Sequence, residues 1–281
     1  MRIAVVAPGS RLDPAIADRT LKFAENLYPD LSVHFHPQCF RSSGHFAGTD
    51  EERADAFLEA ANDKAIDAIW FARGGYGAGR VALRALHRLD EEAAKKTYLG
   101  YSDTGALLAA LYTCGFRDLA HGPMPADLNR EGGEEAIKRS LDYLLTRDSA
   151  ALEPTVSSKT PTAAFNITIL SHLIGTPFQP DLAGHVLMLE EVSEYMYRID
   201  RALLHITSNP LIRTVAGIKL GRCSAIPPND PDFGQSEEAI ASHWCELSGI
   251  PYLGRADIGH DVANKVVPFG RLSALRIASS E

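Results

Sequence analysis

Tyr98-Leu99-Gly100-Tyr101-Ser102-Asp103 is an apolar run that ends in a serine, and Thr104 to Tyr112 beyond it have the composition of a helix. A serine at a tight strand-to-helix turn projects its hydroxyl from the carboxyl end of a sheet. There the first free N–H groups of the helix can stabilise an oxyanion. Thr104 stands where the second glycine of a strict G-x-S-x-G elbow would be, so a serine that merely caps the helix is the competing reading.

Upstream of this run, strand-like and helical patterns alternate: Ile3 to Ala7, Pro14 to Leu27, Ser32 to His36, Asp50 to Ala61, Ile66 to Ala72 and Gly79 to Leu89. Such βαβα order predicts an α/β unit built on a mainly parallel sheet, with ligands at the carboxyl ends of its strands. Thr49 followed by Glu52 predicts a capping box at the start of the helix from Asp50. Pro154, Ser157, Ser158 and Pro161 then interrupt the pattern. The expected division is an N-terminal α/β domain over 1–147, a linker over 148–161 and a smaller C-terminal α+β domain over 162–281. In the last, His185 to Leu189 and Val215 to Leu220 read as strands, and Tyr197 to Ile206 and Ser236 to Ser248 as helices.

The composition narrows the function classes. A chain of 281 residues, 45% hydrophobic, can bury a substantial core. Its 28 basic and 36 acidic residues give a net charge of −8 with no basic run, which argues against nucleic acid or an anionic membrane as partner and favours a small-molecule substrate. Met1 to Gly9 lack a signal-peptide pattern, and no apolar stretch reaches the ~18 residues of a membrane span, so a cytoplasmic protein is expected. Cys39, Cys114, Cys223 and Cys245 are scattered without a C-x-x-C pair, as for reduced thiols in the core, Cys114 included. His34 and His36 share a strand face but lack a third ligand, so no metal or other cofactor is expected.

Arg73-Gly74-Gly75-Tyr76-Gly77-Ala78-Gly79-Arg80 follows a strand and opens a helix. Gly77 to Ala82 match G-x-G-x-x-A, a dinucleotide turn in which Asp103 would hold a ribose; the loop could equally donate N–H groups to an oxyanion or be a plain tight turn. A serine nucleophile also needs a base and an orienting acid. Glu190 ends the run Val186-Leu187-Met188-Leu189, where the bland alternative is a solvated carboxylate, and His260 lies in a loop, Asp257 to Asn264.

These segments together resemble the LD-carboxypeptidase family of serine peptidases, which includes the microcin C self-immunity proteins. The likeness rests on Val5-Val6-Ala7-Pro8, Ala47-Gly48-Thr49-Asp50 with Arg53, Ala68 to Gly77, Gly100 to Asp103 and His121-Gly122-Pro123-Met124. In the second half it rests on Leu187 to Val192, Tyr197 to Arg201, and Gly259-His260 with Asn264 and Pro268. The resemblance implies a flavodoxin-like N-terminal domain related to class I amidotransferases, and a homodimer. It also implies a triad of Ser102 as nucleophile, His260 as base and Glu190 as orienting acid, with oxyanion donors at the Gly75 and Asp103 N–H groups. His260 should then lie within hydrogen-bond reach of both partners. The implied activity is hydrolysis of the L,D-bond that releases the terminal D-alanine of murein tetrapeptides. Cleavage of an acyl-sulfamoyl-adenylate conjugate, dinucleotide binding through Gly77 to Ala82 and a catalytically silent peptide binder are its rivals. The family's Gly-Gly-Asn-Leu turn is Ala164-Phe165-Asn166-Ile167 here, which leaves the shape of the interdomain region near Asn166 open.

Overall fold

The computed structural model describes residues 1–272; residues 273–281 of the expected second domain lie outside them. Strands β1 (Arg2–Val6), β2 (Ser32–Phe35), β3 (Ala68–Phe71), β4 (Thr97–Gly100) and β5 (Leu119–His121) form one parallel sheet in the order β2-β1-β3-β4-β5. This is the flavodoxin-like order, which reverses direction between β1 and β3 and leaves a crevice at the carboxyl ends of those strands. β3 and β4 are buried at every position, as a sheet covered on both faces requires.

The helices of this unit are α1 (Pro14–Leu27), α2 (Asp50–Asn62), α3 (Ala78–Ala85), α4 (Gly105–Thr113) and α5 (Gly133–Thr146). The Thr49–Glu52 capping box is formed at the start of α2. Helix α4, which follows the Ser102 turn, is buried from Gly105 to Leu111. A helix apolar all round must be covered all round, and α4 is: it packs on α3 on one side and on the second unit on the other.

That second unit is smaller and its sheet is parallel throughout, in the order β6 (Thr162–Asn166), β7 (Val186–Val192), β8 (Gly217–Ser224), β9 (Tyr252–Arg255). Helices α6 (Ile167–Leu173), α7 (Met196–Ser208) and α8 (Glu237–Ser248) alternate with these strands. In finer detail, therefore, this unit repeats the strand-helix alternation of the first rather than separating strands from helices.

After β9 the chain returns to the first sheet. Strand β10 (Val267–Pro268) pairs antiparallel with β5, Val267 opposite His121. Residues 148–161 pack against the same returning segment: the Glu153 N–H donates to the Val266 carbonyl, and the buried Glu153 carboxylate lies 3.4 Å from the buried Lys219 ammonium. Cys39 and Cys245 are buried and Cys223 is partly so, but Cys114 is exposed. The expected burial of Cys114 is thus corrected: it is the residue just past the last turn of α4, where the chain leaves the core.

Candidate active site

Ser102 stands two residues past the end of β4 with φ +60°. A non-glycine residue in this region is held there at a cost of about 1–3 kcal/mol and persists only where its surroundings enforce it. The enforcement comes from both sides. A Cβ on Gly74, in the loop after adjacent β3, would lie 2.8 Å from both Cβ and Oγ of Ser102. On the other side Thr104 donates its hydroxyl to the Tyr101 carbonyl at 2.7 Å.

The glycine loop is built to approach this serine closely. Gly75 has φ +92°, and a Cβ there would meet Ser10 Oγ at 2.4 Å; a Cβ on Gly9 would lie 2.0 Å from the Gly75 carbonyl oxygen. Loops following β1 and β3 are thus pressed together at the switch point of the sheet. Among the described residues the Gly75 N–H has no protein acceptor. Arg53, 1% exposed, secures the loops from beneath: its guanidinium donates to the carbonyls of Pro8 and Gly77 and pairs with Asp50.

Asp103 turns away from the serine. Its carboxylate accepts the Ala78 N–H at 2.9 Å, at the start of α3. Burial pushes its pKa up, against the lowering effect of the Ala78 and Gly77 N–H groups. The helix start that a dinucleotide phosphate would use is therefore already capped by an anion of the protein itself. Asp103 is not free to hold a ribose.

Glu190 is 0% exposed, on β7 of the second sheet. The register of β7 with β8 shifts between Leu189 and Glu191, an irregularity of the kind that re-aims a side chain. Gly221 on β8 leaves room for it, since a Cβ there would crowd Glu190 Cβ at 3.0 Å. Glu190 Oε2 meets His260 Nδ1 at 2.5 Å. Glu191 points elsewhere: its carboxylate accepts from Asn166 Nδ2 at 2.6 Å, from the Thr168 N–H and hydroxyl, and from its own neighbour Val192 N–H. Strand alternation thus separates two adjacent glutamates into one that faces the histidine and one that caps α6.

His260 is 8% exposed. Burial works against its charged form, but the charge and hydrogen bond of Glu190 outweigh it, helped by Asp127 and Glu191, so its pKa is raised above the usual 6.5. The Tyr101 ring lies 4.8 Å from the His260 ring, centroid to centroid, which brings His260 beside the residue preceding Ser102. The expected hydrogen bond from Ser102 to His260 is not made: among the described residues Ser102 Oγ has no partner within 3.5 Å. Such contacts are often long in an empty site and close only around substrate.

The interdomain region around the Ala164-Phe165-Asn166-Ile167 stretch is packed rather than open. Phe165 is 1% exposed, with its ring edge-on to Phe269 at 5.1 Å, and Asn166 caps α6 by accepting the Ile169 N–H. Phe165 is therefore a core residue. His34 is exposed, and His36 lies past the end of β2, where it meets Glu59 at 3.2 Å. Among the described residues no group of three or more metal-ligating side chains converges.

Residues 3–122 match the LD-carboxypeptidase N-terminal domain and residues 161–275 the LD-carboxypeptidase C-terminal domain. The chain belongs to the LD-carboxypeptidase family. It is a serine carboxypeptidase, a hydrolase. Among its relatives is a probable murein peptide carboxypeptidase of Bacillus subtilis, 28% identical over 286 residues, which cover 98% of this chain and 89% of that one. Among solved structures, the muramoyltetrapeptide carboxypeptidase of Oxalobacter formigenes has a TM-score of 0.79 at 25% identity, covering 95% of this chain and 93% of that one. The microcin C7 self-immunity protein MccF, solved with aspartyl sulfamoyl adenosine, shares the fold with a TM-score of 0.79 at 19% identity, covering 96% and 91%.

Proposed function

We propose that this LD-carboxypeptidase removes the terminal D-alanine from murein tetrapeptides by acyl transfer through Ser102, His260 and Glu190. The observation that carries the reading is the buried Glu190–His260 contact of 2.5 Å, set against the ring of Tyr101 next to a serine held at positive φ. In this mechanism Ser102 Oγ attacks the carbonyl carbon of the scissile bond while His260 Nε2 takes its proton. His260 then gives that proton to the departing D-alanine nitrogen, and a water molecule repeats the sequence to free the acyl group from the serine. Glu190 fixes the Nδ1–H tautomer and balances the imidazolium. The N–H groups of Gly75 and Asp103 serve as oxyanion donors, a role that the free Gly75 N–H and the close approach of Gly74 to Ser102 support. The murein assignment is supported by the Bacillus and Oxalobacter relatives, and we place the enzyme in the cytoplasm as a homodimer acting on recycled wall peptides. No helix among the described residues is long and apolar enough to cross a membrane.

The test is direct. Purified protein is offered a murein tetrapeptide and an aspartyl sulfamoyl adenylate, and kcat/KM is compared. Preference for the tetrapeptide, abolished by Ser102→Ala, is expected; preference for the adenylate would move the enzyme to the self-immunity branch, and activity surviving in Ser102→Ala would end the triad reading.

A further inference from the structure

The loop that carries His260 is joined to the nucleophile's sheet by a closed circuit of side chains. Tyr101 lies between two histidine rings, 4.8 Å from that of His260 and 5.4 Å from that of His121. Its hydroxyl donates to Asp127 Oδ1 at 2.7 Å. The same oxygen accepts Arg130 Nε at 3.0 Å, while Asp127 Oδ2 accepts the Met124 N–H at 2.8 Å. Arg130 Nη1 completes the circuit by donating to the backbone carbonyl of His260 itself. Asp127 is 4% exposed and Tyr101 2%. A buried carboxylate in such a place costs several kcal/mol unless fully partnered, and here each of its oxygens is.

We infer that Tyr101, Asp127 and Arg130 form a positioning clamp for the general base, with Arg130 as its adjustable arm. The inference rests on the proposed role of His260. The imidazole has two demands to meet, one toward Glu190 in the second unit and one toward Ser102 in the first. Glu190 alone fixes a single ring nitrogen, about which the ring can still swing. Arg130 fixes the backbone of the same residue, and the Tyr101 ring limits the tilt of the imidazole. Because Tyr101 directly precedes Ser102, any movement of the clamp is shared by nucleophile and base. A second tether acts alongside it: Asn264 Oδ1 accepts from the Gly259 N–H and faces His121 Nε2, both at 3.2 Å. Burial pushes the His121 pKa down to about 3, so that ring is neutral throughout the working range and the tether does not titrate.

Arg130 is the informative position because its side chain is 41% exposed, so truncation removes the arm without opening the core. With Arg130→Met, kcat on a tetrapeptide ending in D-alanine is expected to fall roughly 30- to 100-fold, the order of loss that a misplacement of about 1 Å produces, with KM within about twofold. A pH profile separates positioning from a structural role. The charged and titratable groups around His260 are Glu190, which faces it, Glu191, which acts on it only through its charge, Asp127 and Arg130 after β5, neutral His121, Tyr101, and the Asp261–Arg222 pair beside it. Asp127 helps to hold the His260 pKa up, and Arg130 offsets that charge. The acid limb of kcat/KM should therefore move to higher pH in Arg130→Met and to lower pH in Asp127→Asn. Opposite movements together with the kcat loss are the expected result. An unchanged kcat in Arg130→Met, or a loss with neither limb moved, overturns the clamp. If Ser102→Ala retains activity in the same assay, the triad reading itself fails, and that outcome is distinct from the other two.

Discussion

Glu190→Gln removes a charge while keeping the shape of the side chain. With Nδ1 and Oε2 at 2.5 Å, the two charge centres lie roughly 4 Å apart, where opposite unit charges attract by about 4 kcal/mol at an effective dielectric constant of ~20. In the active form, with His260 neutral, the proposed mechanism creates the imidazolium only as Ser102 gives up its proton, so this attraction acts on the transition state rather than on bound substrate. At about 1.36 kcal/mol per decade, its loss lowers kcat by about 10³. A glutamine whose NH₂ faces Nδ1 also favours the wrong tautomer, which takes the loss toward ~10⁴. A second consequence concerns pH. With the carboxylate gone, burial becomes the dominant influence on His260, and its raised pKa must fall. The free enzyme needs neutral His260, so kcat/KM rises with pH as that proton leaves; in the variant the rise occurs at lower pH and to a far lower plateau. D-alanine release from a tetrapeptide, followed from about pH 4 to 9, reads both effects, since kcat/KM reports the ionisations of the free enzyme. A plateau within tenfold of the native value, or an acid limb that stays in place or moves up, would refute the assignment of Glu190.

Ser102→Ala should lower kcat by roughly 10³- to 10⁶-fold, and adding His260→Ala should cost little more, because triad members act as a unit; losses that multiply would contradict it. Ser102→Gly should be equally inactive but more stable than Ser102→Ala by about 1 kcal/mol, since glycine accepts φ +60° without strain; thermal unfolding of the two proteins side by side decides. Gly74→Ala places a methyl 2.8 Å from both Cβ and Oγ of Ser102, so the serine must shift and activity should drop at least tenfold, with a fall in melting temperature alongside. Gly9→Ala meets backbone rather than a side chain, 2.0 Å from the Gly75 carbonyl oxygen, and should lower both stability and activity, the former by about 1–3 kcal/mol. With no cluster of three metal ligands among the described residues, activity should persist in EDTA, and an enzyme silenced by EDTA and restored by zinc would count against the proposed chemistry.

Where local chemistry decides the conformation, the sequence was legible. Helix α1 begins at Pro14 and ends at Leu27 as its pattern predicts, and the turns at Gly74-Gly75 and Ser102 lie where an apolar run meets a helix start. Strand β6 was not legible: Thr162 to Asn166 carry no alternation, and their strand character comes from pairing with β7. Helix α5 begins at Gly133 without a side-chain cap, which hides its start, although Ala136, Ile137, Ser140, Leu141 and Leu144 keep a helical period and could have revealed it. Glu190 and Glu191 are indistinguishable as neighbours; strand alternation, the register shift at this point of β7 and the space over Gly221 determine which one faces His260. Tyr101, Asp127 and Arg130 share no local pattern in the sequence; only the return of the chain brings His260 among them.

That return, with β10 laid along β5, has a consequence for how the enzyme is made. Val267 of β10 lies 146 residues after His121, its partner in β5. At a synthesis rate of roughly 5–20 residues per second, a ribosome spends about 7–30 s between the two. During that interval the β5 edge lacks β10, with unpaired backbone groups that invite another strand, and His260, the proposed base, has not yet reached the serine. On the proposed mechanism each newborn chain is therefore both inert and adhesive until β10 emerges, and the step that pairs β10 with β5 is the same one that delivers the histidine.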